Sequence, residues 1–418
     1  MKSYNTLARV FGRIGLLSFG GPAAQIALMH RELVEERDWL TEAQFLRALS
    51  FCMLLPGPEA MQLATYAGWK QRGIIGGLIG GGLFVIPGAI VIMALALAYG
   101  VYGNLSWMQA VFLGVKATVV IIVIEALIKV SKRALKGRTH YIIAVAAFLA
   151  LFLFAVPFPL VIAVAALFGA IGTQTTAAPS EIKLPWATSA KILIAGLLIW
   201  AAPIAVVFAT NDTFLIEIGL FFSKLAVVTF GGAYAVLAYM TQAVVNTHGW
   251  LTTAQMMDAL GLAETTPGPL ILVTQFVGML AGFAKGGVIT ALIAGALTLW
   301  VTFVPCFIWI FAGAPLIDWL EGRPKLTGAL AAITAAVVGV IANLTVWFAL
   351  HVFFGRVIDI KAGLLNTVMP DITTFQPMPI SLALLAGFLL LKRHWGLPWV
   401  LMICGGLSLL FTMSMLPL

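Results

Sequence analysis

The sequence predicts an all-α polytopic membrane protein. Two homologous repeats of inverted topology are expected, each with broken, re-entrant half-helices. Three observations carry this: an apolar composition, an internal duplication, and an uneven placement of the few charges. Of 418 residues, 61% are hydrophobic and 10% charged, against about 25% charged in a soluble domain. So few charges cannot coat a water-soluble fold of this size. Soluble enzymes, nucleic-acid binders and disordered chains are set aside, and a lipid bilayer is the expected surrounding.

Apolar runs of spanning length recur at 74–99, 105–128, 191–210, 288–311, 326–350 and 397–418. A hydrocarbon core about 30 Å thick needs roughly 20 helical residues, and shorter runs bring the hydrophobic elements to about a dozen. A barrel would instead show alternating segments of about ten residues. Cys52, Cys306 and Cys404 stand singly in apolar stretches, which indicates neither disulfides nor a metal cluster. The five histidines form no cluster. No nucleotide-binding P-loop is present, so ATP hydrolysis by this chain is not expected, and neither is a cofactor. The bases Lys2, Arg9 and Arg13 precede no small-residue cleavage site and read as retained sequence.

Residues 18–58 align without gaps onto 229–269, with 17 identities in 41 positions. Ser18-Phe19-Gly20-Gly21 matches Thr229-Phe230-Gly231-Gly232, and Trp39-Leu40-Thr41 matches Trp250-Leu251-Thr252. Pro56-Gly57-Pro58 matches Pro267-Gly268-Pro269. Further on the shift grows from 211 to 218, so that Pro87 meets Pro305. This divides the chain into an N-terminal repeat (1–173), a linker with a connecting helix (174–211) and a C-terminal repeat (212–418). Residues 1–138 hold 14 of the 24 Lys and Arg, whereas the equivalent 212–349 hold four: Lys224, Lys285, Arg323 and Lys325. Equivalent loops that differ so strongly in basic content are expected on opposite sides of a membrane. The run Lys129, Lys132, Arg133, Lys136, Arg138 marks a cytoplasmic loop. The N-terminus is then cytoplasmic and the C-terminus periplasmic.

The proline-glycine-proline elements carry the chemistry. Proline lacks an N–H and turns the preceding residue away from helix, so a helix should end at Pro56. Gly57 permits a reversal, and Pro58 suits the start of a second helix through Gln62. Inside a membrane such a break is tolerated only where it is buried in protein or lines a polar cavity. The N–H groups of the second helix then form an anion site. Pro267, Gly268 and Pro269 repeat the pattern. One such break packs helices as readily as it binds; two at equivalent places in inverted halves favour a transport site.

Ser18, Gly20 and Gly21, with Thr229, Gly231 and Gly232, form a second paired break. It serves either close backbone approach to a substrate or tight helix packing. Glu59 reads as a helix-capping carboxylate or a proton-coupling group, and Glu264 more as the latter. Gln62, Thr265 and Thr266 are neutral donors for an oxyanion. Lys116 is either a substrate counter-charge or a snorkelling cation; Glu125 lies on roughly the opposite face. Gly73, Gly77 and Gly81, with Gly278, Gly282 and Gly286, read as helix-packing stripes.

At these strings the chain resembles the chromate ion transporter family. The likeness rests on Ser18-Phe19-Gly20-Gly21-Pro22, on Met53 to Ala60 with Gln62 and Ala64-Thr65-Tyr66, and on Gly261 to Leu270 with Val273 to Gly278. It covers both halves. It departs at Gln25 and Gly88, where relatives are expected to carry histidine and serine, away from the proline-glycine-proline sites. The resemblance implies export of chromate, and of sulfate-like tetrahedral dianions, across a bacterial inner membrane. An anion channel or sulfate importer is the alternative. A membrane-embedded chromate reductase is disfavoured by the absence of haem and flavin motifs. A homodimer is compatible with all of this.

Overall fold

The computed structural model describes residues 3–19, 21–172, 186–230, 233–317, 323–363 and 365–415. Gly20, Gly231, Gly232 and most of the polar linker lie outside them. The described residues are overwhelmingly helical. The first seven helices are α1 (Tyr4–Leu17), α2 (Gly21–His30), α3 (Glu42–Leu54), α4 (Glu59–Tyr102), α5 (Ser106–Ala134), α6 (Arg138–Phe154) and α7 (Phe158–Gly172). After α8 (Trp186–Thr210) come α9 (Thr213–Val228), α10 (Ala233–Gln242), α11 (Thr253–Thr265), α12 (Val273–Gly313), α13 (Pro324–Phe353), α14 (Pro377–Gly387) and α15 (Leu397–Met415).

The order of α1–α7 is repeated in α9–α15, with α8 as connector. Details repeat too. Both α2 and α10 run into a π-helical turn, Arg31–Glu35 and Ala243–Thr247. At α3, the Thr41 N–H donates to Gln44 Oε1 at 3.2 Å and the Gln44 N–H to Thr41 Oγ1 at 3.3 Å. Thr252 and Gln255 make the same reciprocal box before α11, at 2.9 and 3.2 Å. Both satisfy N–H groups that a helix start leaves open.

A straight helix of 44 residues, the length of α4, would measure about 66 Å. It does not run straight. Arg72 (φ −146°) and Gly73 (φ +61°) leave helical geometry, as do Gly286 (φ −155°) and Gly287 (φ +71°) in α12. Beyond the turn the chain doubles back: Gly76 lies against Gly68 and Gly80 against Ala64, while Gly282 meets Ala291 and Gly278 meets Thr298. Each is an antiparallel helical hairpin whose first arm, at about 20 Å, is too short for a core of about 30 Å. The glycine stripes are thereby corrected. Gly77, Gly81, Gly278 and Gly282 do pack, but Gly73 and Gly286 belong to the turns.

The chain forms two compact units that both draw on each repeat. The first comprises Met1–Gly100, Gln174–Val236 and Leu262–Thr327; the second comprises Val101–Thr173, Leu237–Gly261 and Gly328–Leu418. In the first, α1 packs Gly15 onto the Leu83 carbonyl of α4. There α8 and α12 exchange indole hydrogen bonds, Trp200 Nε1 to the Val301 carbonyl at 3.0 Å and Trp300 Nε1 to the Ile199 carbonyl at 3.2 Å. In the second, α5 packs against α14 and α15, Gly114 lies on the Cys404 carbonyl, and Phe158 stacks on Tyr239 at 5.3 Å. Large apolar side chains on the outside, such as Ile171, Ile289, Leu198 and Leu410, are each more than two-thirds exposed. Such a surface suits lipid, not water.

A β-hairpin in the second unit was not foreseen. Strands β1 (Val357–Ala362) and β2 (Leu365–Pro370) pair antiparallel, Val357 opposite Pro370 and Ala362 opposite Leu365. Val357, Ile358, Ile360, Thr367 and Val368 are β-branched, and Gly363 supplies the positive φ (+61°) of the turn. The hairpin stands where the first repeat has only the short joint before α6.

Candidate functional site

All four helix breaks belong to the first unit, and the structure bonds them crosswise. Helix α1 ends at Leu17 and α9 at Val228, so Ser18 and Thr229 have carbonyls free of a helical donor. The Gly57 N–H donates to the Thr229 carbonyl at 2.8 Å, and the Gly268 N–H donates to the Ser18 carbonyl at 2.9 Å. Each proline-glycine-proline element is thus tied to the double-glycine break of the other repeat. Gly57 has φ +119°, Gly268 φ +89° and Gly21 φ +78°, so all three need a residue without Cβ. Pro56, Pro58, Pro267 and Pro269 flank the two reversals and end or open the helices around them.

Side chains complete the cradle. Gln62 is fully buried, and its Nε2 donates back to the Pro56 carbonyl at 2.7 Å. Gln25, 1% exposed, donates through Nε2 to the Gly268 carbonyl at 2.7 Å and to the Ser18 carbonyl at 3.3 Å. The position a Cβ would take on Gly57 lies 2.8 Å from Cys306 Sγ, while Gly88 lies against the Pro267 carbonyl. Position 88 and position 306 are equivalent at the shift of 218, so each repeat presses one residue onto the other's break. Gln25 and Gly88, expected to lie away from these elements, both contact Gly268. That expectation failed because linear distance hid the cross-repeat contact.

Hydroxyl donors are committed internally. Ser18 Oγ donates to the Ile14 carbonyl and Thr229 Oγ1 to the Leu225 carbonyl, both at 2.5 Å. Thr265 and Thr266 donate to Leu262 and Ala263 at 2.7 and 2.9 Å. A hydroxyl has one proton, so these four residues act here through carbonyls or lone pairs. The donors left open by the backbone are first-turn N–H groups. In α4 the Gln62 N–H closes the first helical bond onto the Pro58 carbonyl, so the N–H groups of Ala60 and Met61 precede the helical ladder. In the second repeat a 3₁₀ turn at Leu270–Leu272 precedes α12. Glu59 lies in the first turn of α4, while no acid lies in that of α12. Glu264 accepts a hydrogen bond from the Tyr234 hydroxyl at 2.8 Å.

Lys116 belongs to the second unit. Its Nζ lies 3.3 Å from Asp258 Oδ1, with the two side chains 12% and 0% exposed. Glu125 pairs with Lys129 at 2.5 Å instead. Asp258 was missed in the sequence because its partner is far away in the chain. The available signal was an acid within an apolar helix, which is costly unless paired. Among the described residues no group of three His, Cys, Asp or Glu side chains could hold a metal, and all three cysteines are buried.

No solved structure matches the chain. Its sequence is 32% identical over 362 residues to the "Chromate transport protein" of Cupriavidus metallidurans, covering 87% of this chain and 86% of that one. It is 30% identical over 409 residues to the "Probable chromate transport protein" of Synechococcus elongatus, covering 92% and 95%. It is 31% identical over 366 residues to the "Chromate transport protein" of Pseudomonas aeruginosa, covering 87% and 85%. The Chromate transporter family model matches residues 5–170 and 216–409, one segment for each repeat of helices. The chain is therefore a multi-pass membrane protein that belongs to the chromate transporter family, a family of transport proteins and not of enzymes.

Proposed function

We propose that the chain is a secondary transporter that exports chromate, and sulfate-like dianions, across a bacterial inner membrane. The observation that carries this reading is the crosswise bonding of two broken helices, which gathers two half-helix starts into one compact unit. The substrate is held at those starts, by the first-turn N–H groups after Pro58 and Pro269. Anions favour helix N-termini, where open N–H groups and the positive end of the dipole coincide. Chromate as the substrate comes from the names of the three relatives. One chain holds both breaks, so the reading needs no second copy.

The fourteen-to-four imbalance of bases supports inverted repeats, divided at 174–211, with a cytoplasmic N-terminus and a periplasmic C-terminus. Export then follows the membrane potential. A dianion leaving a negative-inside cell gains about 4.6 kcal/mol per 100 mV, at about 2.3 per charge. This sustains a concentration ratio of roughly 2,000 at 1.4 kcal/mol per tenfold. If a proton moves as well, Glu264 beside Tyr234 is the group to carry it.

Labelled chromate uptake into everted vesicles tests the reading. Uptake that collapses when the potential is dissipated supports potential-driven export. Undiminished uptake without a potential overturns that drive. Loss of Cr(VI) without uptake overturns transport in favour of reduction.

A further inference from the structure

We propose that Lys116 is a second oxyanion station, and that Asp258 is the internal anion that occupies it when substrate is absent. The inference rests on the transport reading above. Lys116 lies well inside the 29-residue helix α5, and Asp258 inside α11, both nearly or fully buried. An ammonium at membrane depth is costly when bare. If it binds an anionic substrate, something must neutralise it each time the substrate leaves. A carboxylate at 3.3 Å fulfils that need.

The geometry suits exchange. Lysine offers a compact charge with three rotatable donors on a flexible stem, not a fixed fork. The Lys116 ammonium stands 3.3 Å from the Asp258 carboxylate, a looser approach than the 2.6 Å of Arg37 Nη1 on the buried Glu32 carboxylate in the first unit. The longer separation is the weaker attraction and so the more replaceable partner. The pair is also not a relic of the duplication. At the shifts of 211 and 218 the equivalents of Asp258 and Lys116 are Arg47 and Thr334, which cannot reproduce it. Finally, Asp258 lies on the helix that ends at Thr265, two residues before Pro267. Releasing its carboxylate loosens the hold on the helix that leads into the second break.

Three variants test this in everted vesicles with labelled chromate, each normalised to inserted protein: Lys116→Gln, Asp258→Asn, and the exchange Lys116→Asp with Asp258→Lys. Lys116→Gln should lower kcat/KM for chromate at least tenfold. Asp258→Asn should lower the half-saturating concentration several-fold while slowing turnover, because substrate no longer meets a competitor. The exchange restores the pair and its insertion but leaves transport impaired, since the cation now stands on the wrong helix. Wild-type flux from the exchanged protein, or from Lys116→Gln, overturns the station and makes the pair structural. If Asp258→Asn does not insert, the other two variants decide. A wild type that moves no chromate overturns the transport reading itself, which separates that failure from this one.

Discussion

The breaks at Pro56–Pro58 and Pro267–Pro269 share a backbone but differ in what clamps it. Both glycines have positive φ, and both N–H groups reach a carbonyl in the other repeat. At the first break the clamp is local: Gln62, six residues on, returns to the Pro56 carbonyl. At the second it is remote: Gln25, 243 positions away, holds the Gly268 carbonyl. The half-helix starts differ as well. Glu59 places a negative charge in the first turn of α4, whereas the second start has a 3₁₀ turn and no acid. Duplication supplied two equal scaffolds, and side chains divided their roles. Both breaks are clamped, and on the proposed transport reading the second start, without an acid in its first turn, is the stronger anion site.

The largest effect should come from adding a methyl to each glycine. An L-residue held at such φ costs about 1–3 kcal/mol. At Gly57 the new Cβ also meets Cys306 Sγ at 2.8 Å and Gln62 Nε2 at 2.9 Å, whereas at Gly268 its nearest neighbour is the flexible end of Leu272 at 3.0 Å. Overpacking adds about 1–3 kcal/mol. Gly57→Ala should therefore destabilise more than Gly268→Ala in thermal unfolding of the detergent-solubilised protein. Cys306→Ala should rescue part of the Gly57→Ala loss and none of the Gly268→Ala loss. Equal losses, or rescue of both, would break the comparison.

Next in size are the two glutamines. Removing the Gln25 amide leaves a buried carbonyl without that donor, at about 1–3 kcal/mol, and removing the Gln62 amide does the same to a part-buried one at the lower end of that range. Gln62→Leu should act on the first break alone. Gln25→Leu should couple to Gly268→Ala, with a double-mutant interaction of about 0.5 kcal/mol or more. Additivity at that pair would remove the remote clamp from the account.

Glu59→Gln sharpens the division of roles. A carboxylate at a helix start is worth about 0.3–1 kcal/mol, so stability should fall only slightly. Affinity should move the other way. With the internal charge gone, the first start should hold an oxyanion more tightly, and half-saturation by chromate should fall up to about fivefold, the equivalent of 1 kcal/mol. Loss of flux would instead make Glu59 a coupling group.

Much of this was legible in sequence because it depends on local chemistry. The helices before Pro56 and Pro267 end at Leu54 and Thr265, and the apolar runs at 105–128 and 326–350 became α5 and α13. Gly57 and Gly268 are where the backbone turns. What stayed hidden depends on distant partners. Nothing near Lys116 announces Asp258, and nothing near Gln25 announces Gly268. Gly73 looked like a packing glycine because a small residue reads alike in a stripe and in a turn; only its φ of +61° distinguishes them. The β-branched run at 357–368 carried a strand signal that an apolar helical context overshadowed.

The smallest expected effect lies at the joint that follows α2 and α10, and it too is asymmetric. In the first repeat His30 closes the joint of α2 and α3, with Nε2 2.6 Å from Glu42 Oε2 and Nδ1 3.0 Å from Glu35 Oε1. The hydrogen bond to Glu42, aided by its charge and by Glu35, raises the imidazole above its ordinary value of 6.5. The second repeat has Thr241 there, at the shift of 211. A raised folded-state value stabilises below the ordinary one, and that stability is lost as pH rises through the raised value. The latch is largely exposed and its carboxylates are solvated, so the gain is small. Melting temperature should fall slightly as pH rises from below 6.5 through the raised value, and His30→Gln should flatten that slope without affecting the second repeat. A slope that survives His30→Gln would place the titration elsewhere and remove this difference between the repeats.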